Sequence, residues 1–265
     1  MYNFSLYACK DIAPGIEEMI TVCNQFMIGN MEADDEIGGV KLVETKGELL
    51  EKYRRLLIRY NKKIVLLNTS LAPGDIDGFK VLFRKALTLG VENIRVNPCM
   101  SPPEDKNAAS GENALSPGTV AENLEAVCRI GKSYGIGVLV ENKADTYFSM
   151  ESSIAAVFRK MGGHKPGWIF NPLELAKNRV HPFFHIFYNS RLKSSISFLR
   201  INDGLFTDGR PELPGQGNAE IKEMTSALLA RGFKGYFSFI PYFEGMRIED
   251  YTPVMDHFKR LLMEM

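Results

Sequence analysis

The chain has 265 residues, 45% of them hydrophobic and 24% charged, enough for one large α/β domain or two small ones with a sizeable core. Lys and Arg (32 together) balance Asp and Glu (32 together), which argues against the strong basic field that a dedicated nucleic-acid binder uses to collect phosphates. Cys9, Cys23, Cys99 and Cys128 stand apart with no CxxC pair, so neither a zinc knuckle nor a disulfide framework is expected.

The opening "MYNFSLYACKDI" offers a strand at 3–9 and lacks a basic region followed by an apolar one. No later stretch approaches the roughly 18 apolar residues of a membrane span. A cytoplasmic protein without a membrane partner is therefore expected. Further strands are expected at "GVKLVET" (39–45), "KIVLLNT" (63–69), "NIRVNPC" (93–99), "GVLVEN" (137–142), "GWIFN" (167–171), "ISFLRIN" (196–202) and "YFSFIPY" (236–242). Several are near-continuous apolar runs, the pattern of parallel strands covered by helices on the outside.

Between the strands the apolar period changes to that of a helix. Val120, Leu124, Val127 and Ile130 share one face in 119–134, as do Val254, Phe258, Leu261 and Leu262 near the end. Ser116 with Pro117 opens a helix, and the glycines of "YGIG" and "RGFKG" close helices before the next strand. Eight β/α units in about 250 residues predict a single closed (β/α)₈ TIM barrel spanning 1–265. A doubly wound open sheet competes with it, but "YACKDIAPG" is not the Gly-rich phosphate turn such a sheet carries after its first strand.

In a barrel of this kind function lies at the C-terminal strand ends. Here those positions hold Tyr7, Cys9, Glu44, Asn68, Asn97, Glu141, Lys143, Asn171, Arg200, Asn202, Asp203, Ile240 and Tyr242. Two long linkers, 99–118 and 203–219, border the same face and read as lids, binding loops or disorder.

Five segments carry a family resemblance. "LEAVCRIGKSYGIGVLVEN" resembles the helix, turn and strand that end in a metal-binding Glu in the xylose isomerase-like TIM barrels, the sugar phosphate isomerase/epimerase superfamily that also contains apurinic endonucleases. "WIFNPLELAKNRVHPF" is similar to the family's next strand, which usually ends in Asp-Pro, and "FLRIND" to its His-x-x-Asp strand. "LPGQGNAEIKEM" resembles its Pro-Gly-x-Gly turn, and "LLARGFKGYFSFIP" its final strand, which ends in Glu-Pro.

The resemblance implies a divalent cation bound by Glu, Asp, His and Glu from strands five to eight. The matching positions here hold Glu141, Asn171, Arg200 and Ile240. A guanidinium has no lone pair to give and repels a dication, and isoleucine coordinates nothing. No metal is therefore expected, unless a shifted register brings Asp203 and Glu244 to Glu141, with Asn171 or Glu174 completing a rearranged set.

The expected function is that of a sugar phosphate isomerase/epimerase-like protein that acts on or binds a sugar or sugar-derived acid without the usual metal. Glu141 is then a proton-transfer base, with Arg200 or Lys143 stabilising the developing charge. Arg200 has two open roles: a bidentate ion pair with Glu141, or an anchor for a ligand anion. Glu44, Asn68, Asn97, Asn171, Asn202, Tyr242 and His181 are the candidate substrate contacts, each with a structural alternative. Trp168 could stack on a sugar or simply pack. A non-catalytic carbohydrate-binding pseudoenzyme is the alternative, and an apurinic-site endonuclease a weaker one. The resemblance also allows a homodimer paired through outer helices or long loops.

Overall fold

The computed structural model describes residues 2–96, 116–143 and 146–265. Eight parallel strands close into a barrel: β1 (Asn3–Tyr7), β2 (Asn30–Asp34), β3 (Lys63–Asn68), β4 (Asn93–Arg95), β5 (Gly137–Glu141), β6 (Gly167–Phe170), β7 (Ile196–Arg200) and β8 (Tyr236–Phe239). Each pairs with its neighbours in chain order, and β8 returns to β1 through Phe4↔Phe237 and Ser5↔Ser238. The open-sheet alternative is thereby excluded.

Outside run α1 (Ile16–Gln25), α2 (Gly47–Arg59), α3 (Ile76–Leu89), α4 (Pro117–Tyr134), α5 (Glu151–Lys160), α6 (Pro172–Ala176), α7 (Ile221–Ala230) and α8 (Tyr251–Met263). No helix among the described residues is long and apolar enough to cross a membrane.

Local chemistry explains these boundaries. In α4 the Ser116 hydroxyl accepts the Thr119 amide at 3.1 Å, Pro117 takes the first turn, and Gly135 ends the helix at φ 68°. Glycine has no Cβ to clash in that left-handed conformation. The helix then buries Val120, Leu124 and Val127 against the sheet. In β3, "IVLLN" is buried along its length because helices cover its outer face and the barrel interior its inner one.

One strand was misplaced. Residues 39–45 do not enter the barrel: Val40–Lys41 pairs with Glu36–Ile37 in a small antiparallel ribbon, and Glu44 lies exposed in the turn that follows. The second barrel strand is instead "NMEAD", Asn30–Asp34.

The interior has an apolar floor and a polar upper storey. Val65, Leu66, Leu139, Ile169 and Phe198 pack together as the floor, closed by Tyr236. Above them Ser5, Glu32, Glu141, Arg200 and Ser238 are all buried. Trp168 is fully buried on the outer face of β6, edge-on to Phe170 with ring centres 4.9 Å apart, and so packs rather than stacks on a ligand.

Candidate functional site

The barrel centre is organised by Arg200, whose side chain is 2% exposed. Ser5 on β1, Ser238 on β8 and Arg200 on β7 share one register. Two small hydroxyls beside a long side chain leave it room to cross the barrel. Its Nε and Nη2 donate to Glu141 Oε1 and Oε2 at 3.0 and 3.1 Å, a bidentate pair. Its Nη1 donates to Glu32 Oε2 at 2.5 Å and to Ser238 Oγ at 2.6 Å. Four hydrogen bonds thus leave little of a guanidinium with five N–H donors for a ligand. Of the two roles open to Arg200, the structure shows the ion pair.

Both carboxylates are enclosed from several sides. Glu32 Oε1 also accepts the hydroxyls of Ser5 at 2.7 Å and Ser238 at 2.5 Å. Glu141 Oε1 also accepts Asn171 Nδ2 at 3.0 Å, and its Oε2 accepts Arg95 Nη1 at 2.7 Å. Four hydrogen bonds fill the lone-pair positions of the Glu141 carboxylate. Burial alone would raise its proton affinity, but the charges of Arg200 and Arg95 and their hydrogen bonds prevail and hold the group down at about 2. For Arg200 burial likewise opposes the charge, and Glu141 and Glu32 outweigh it, so the guanidinium is held charged more firmly than usual.

Asn171 is fixed by its neighbours. Asn142 Nδ2 donates to its carbonyl at 2.7 Å, Asn142 Oδ1 accepts its amide at 2.8 Å, and Asn202 Nδ2 donates to its Oδ1 at 3.0 Å. Asn171 and Asn202 also line a cleft of 320 Å³ at the mouth, with Ile240, Tyr242 and Lys177. Tyr242 donates its hydroxyl to the Glu212 carbonyl at 2.8 Å.

The other anticipated residues scatter. Lys143 is exposed beyond β5, and Glu44 lies outside the barrel for the reason given above. His181 is exposed and sits 3.2 Å from Glu220. Asn97 and most of the 99–118 linker lie outside the described residues. Asn68 is buried at the top of β3.

The rearranged ligand set does not assemble. Asp203 accepts four backbone amides, those of Gly204 and Ala219 on Oδ1 and of Gly215 and Gly217 on Oδ2. It thereby ties the 203–219 linker into a closed loop. Glu244 is exposed on the rim. Among the described residues no group of three or more His, Cys, Asp or Glu stands close enough to hold a metal ion. Asp203→Asn keeps the volume and gives up one anionic oxygen with its pair of amides. It is expected to lower stability in urea by about 2 kcal/mol and to speed hydrogen exchange at Gly215 and Gly217.

Glu32, Arg95, Ser5 and Ser238 were not singled out in the sequence. Glu32 was hidden by the misplaced strand. Arg95 sat in plain view, two residues before the Asn97 that was chosen. Facing positions alternate along a strand, so marking every second residue of "NIRVN" would have found it.

No protein-family model and no curated protein matches the sequence. Solved structures match along nearly the whole chain. A D-tagatose 3-epimerase-like protein is similar at 15% identity and TM-score 0.72, with 97% of this chain and 96% of that one covered. A probable 3-DHS dehydratase from Bacillus anthracis is similar at 11% identity and TM-score 0.73, covering 98% and 99%. A xylose isomerase-like TIM barrel protein from Mycobacterium smegmatis, solved in complex with magnesium, is similar at 13% identity and TM-score 0.69, covering 99% and 97%.

Proposed function

We propose, from the xylose isomerase-like barrel that this chain adopts, that it is a sugar isomerase/epimerase-like protein that holds a sugar or sugar-derived acid in its mouth without a divalent cation. One observation carries this reading: Glu141 is saturated by Arg200, Arg95 and Asn171. A hard cation needs several oxygen ligands with free lone pairs. Here the carboxylate has none free, the next position offers an amide already engaged, the third a guanidinium and the fourth an isoleucine. That donor set does not fit the metal.

The same saturation favours binding over turnover at this position. A general base works best with a proton affinity near the operating pH and a lone pair facing the substrate. Glu141 offers neither, so the base role anticipated for it does not suit this geometry. The names of the similar structures, epimerase-like and isomerase-like, supply the ligand class.

The test is a set of aldoses, ketoses and uronic acids incubated with the protein in D₂O containing EDTA. Stabilisation of the protein by at least one of them, without deuterium entering its C–H bonds, is expected. Deuterium incorporation that appears only when Mn²⁺, Mg²⁺ or Zn²⁺ replaces the chelator would overturn the reading. Incorporation in EDTA would move the protein to the metal-free enzymes.

A further inference from the structure

The ion-paired centre draws on strands β2, β4, β5 and β7. The strand ends of β1 to β4 carry a further arrangement beside it. Tyr7 tops β1, Asp34 tops β2, Asn68 tops β3 and Arg95 ends β4. Asp34 is the register partner of Asn68, and Asn68 that of Arg95, so the three side chains face the same way on adjacent strands. Tyr7 joins them by donating its hydroxyl to Asp34 Oδ1 at 2.7 Å.

Two polar atoms here lack partners among the described residues. Asn68 is 4% exposed, and its Oδ1 accepts no hydrogen bond; Arg95 Nε is buried and donates none. Asp34, beside them, is only partly buried and accepts the Tyr7 hydroxyl on Oδ1. Buried groups left unpaired are costly, and a folded protein carries few of them without a reason. Here they are complementary, one donor and one acceptor on adjacent strands, with the partly exposed Asp34 carboxylate next to them. A hydroxyl group is both donor and acceptor. One hydroxyl can accept from Arg95 Nε and donate to Asn68 Oδ1, while its neighbour donates to Asp34.

Charge decides the ligand class. Arg95 and Arg200 bring two positive charges to this region, matched by Glu141 and Glu32, and the carboxyls of Asp34 and Asp35 lie beside them. Both guanidinia are already engaged by carboxylates. Lys10 and Lys143, on the rim, are exposed to solvent, where their charges are screened. Among the described residues a phosphate or carboxylate would find no inward cation that is not already paired with a carboxylate.

We infer that Tyr7, Asp34, Asn68 and Arg95 form a binding site for adjacent hydroxyls of a neutral sugar or polyol. This rests on the reading of the mouth as a sugar site and narrows it, against sugar acids and sugar phosphates.

The test is titration calorimetry with D-xylose, D-fructose and ribitol as neutral probes and D-glucuronate and glucose 6-phosphate as anionic ones. It uses the full chain as wild type, Asn68→Leu and Arg95→Lys. The lysine keeps a charge beside Glu141 and removes Nε–H, and the leucine removes an orphaned oxygen at similar volume, so both variants retain the fold. Asn68→Leu is expected to melt no lower than the wild type. At least one neutral probe is expected to bind the wild type, with each variant weakening it about tenfold, the worth of one buried hydrogen bond. Equal binding to wild type and both variants would overturn this site and leave the sugar reading standing. Tighter binding of the anionic probes would overturn the neutral class and also leave that reading standing. No binding by any of the five removes the sugar reading itself, and this inference with it.

Discussion

Arg200→Met is expected to lower stability by about 3–5 kcal/mol, read as a fall in the urea midpoint at constant slope. The substitution keeps an unbranched apolar stem as far as the ε position but removes four hydrogen bonds and leaves two buried carboxylates facing each other. Glu141 would keep Arg95 and Asn171; Glu32 would be left with the hydroxyls of Ser5 and Ser238. The larger penalty therefore falls on Glu32. Adding Glu32→Gln to Arg200→Met should recover part of the loss, because the neutral amide no longer pays for burial as an anion. The variant should also become more stable as the pH falls from 7 towards 4.5, since an unpaired buried carboxyl binds its proton more readily than the unfolded chain does. A loss of under 1 kcal/mol for Arg200→Met would mean that water reaches both carboxylates and that the centre is not closed.

The wild type should respond to acid with the opposite sign at Glu141. Its folded value, about 2, lies below the ordinary 4.5, so its contribution is complete above pH 4.5 and is lost as the pH falls from there through 2. A difference of that size is worth about 3 kcal/mol. Asp34 and Asp203 act in the other direction: burial raises both carboxyls, so the folded chain holds their protons more readily and gains from acid. The raw slope of stability against pH mixes these terms. The difference between wild type and Glu141→Gln isolates the one in question. Urea unfolding at pH 7, 5, 4 and 3 should show the two proteins far apart at pH 7 and converging below 4.5. A constant gap would mean that Glu141 titrates as an ordinary surface carboxylate.

How far the sequence discloses this molecule depends on which physical force shaped each segment. Strands such as "KIVLLN" and "GVLVE" are legible because burial on both faces selects Val, Ile and Leu throughout. The start of α4 is legible because Ser116 and Pro117 meet a local requirement of any helix. "NMEAD" is not, because Asn, Glu and Asp are poor strand formers and only their positions inside the barrel explain them. Nothing in the sequence marks Glu32 and Asp34 as inward-facing; their partners Arg200 and Tyr7 are distant in the chain. The pairing of Glu141 with Arg200 was open to inspection, since both sit at strand ends, and it was weighed as one of two roles. That Arg200 spends its remaining donors on a third strand could not be read without the barrel's closure.

Arg200 also ties folding to the completion of the chain. Its partner Glu32 lies 168 residues earlier, and Ser238, which bonds to both, lies 38 residues later. Contacts of such separation cost loop-closure entropy before they return anything, and they slow folding. A half-barrel emerging from the ribosome holds Glu32 with no cation to meet it, so the carboxylate stays in water and the first strands cannot seal around it. The last strands bring both the arginine and the second serine that Glu32 accepts from. Closure of the ring and neutralisation of its centre are then one event. A fragment ending before β7 should remain open and hydrated, whereas two fragments cut between β5 and β6 should gain order only when mixed.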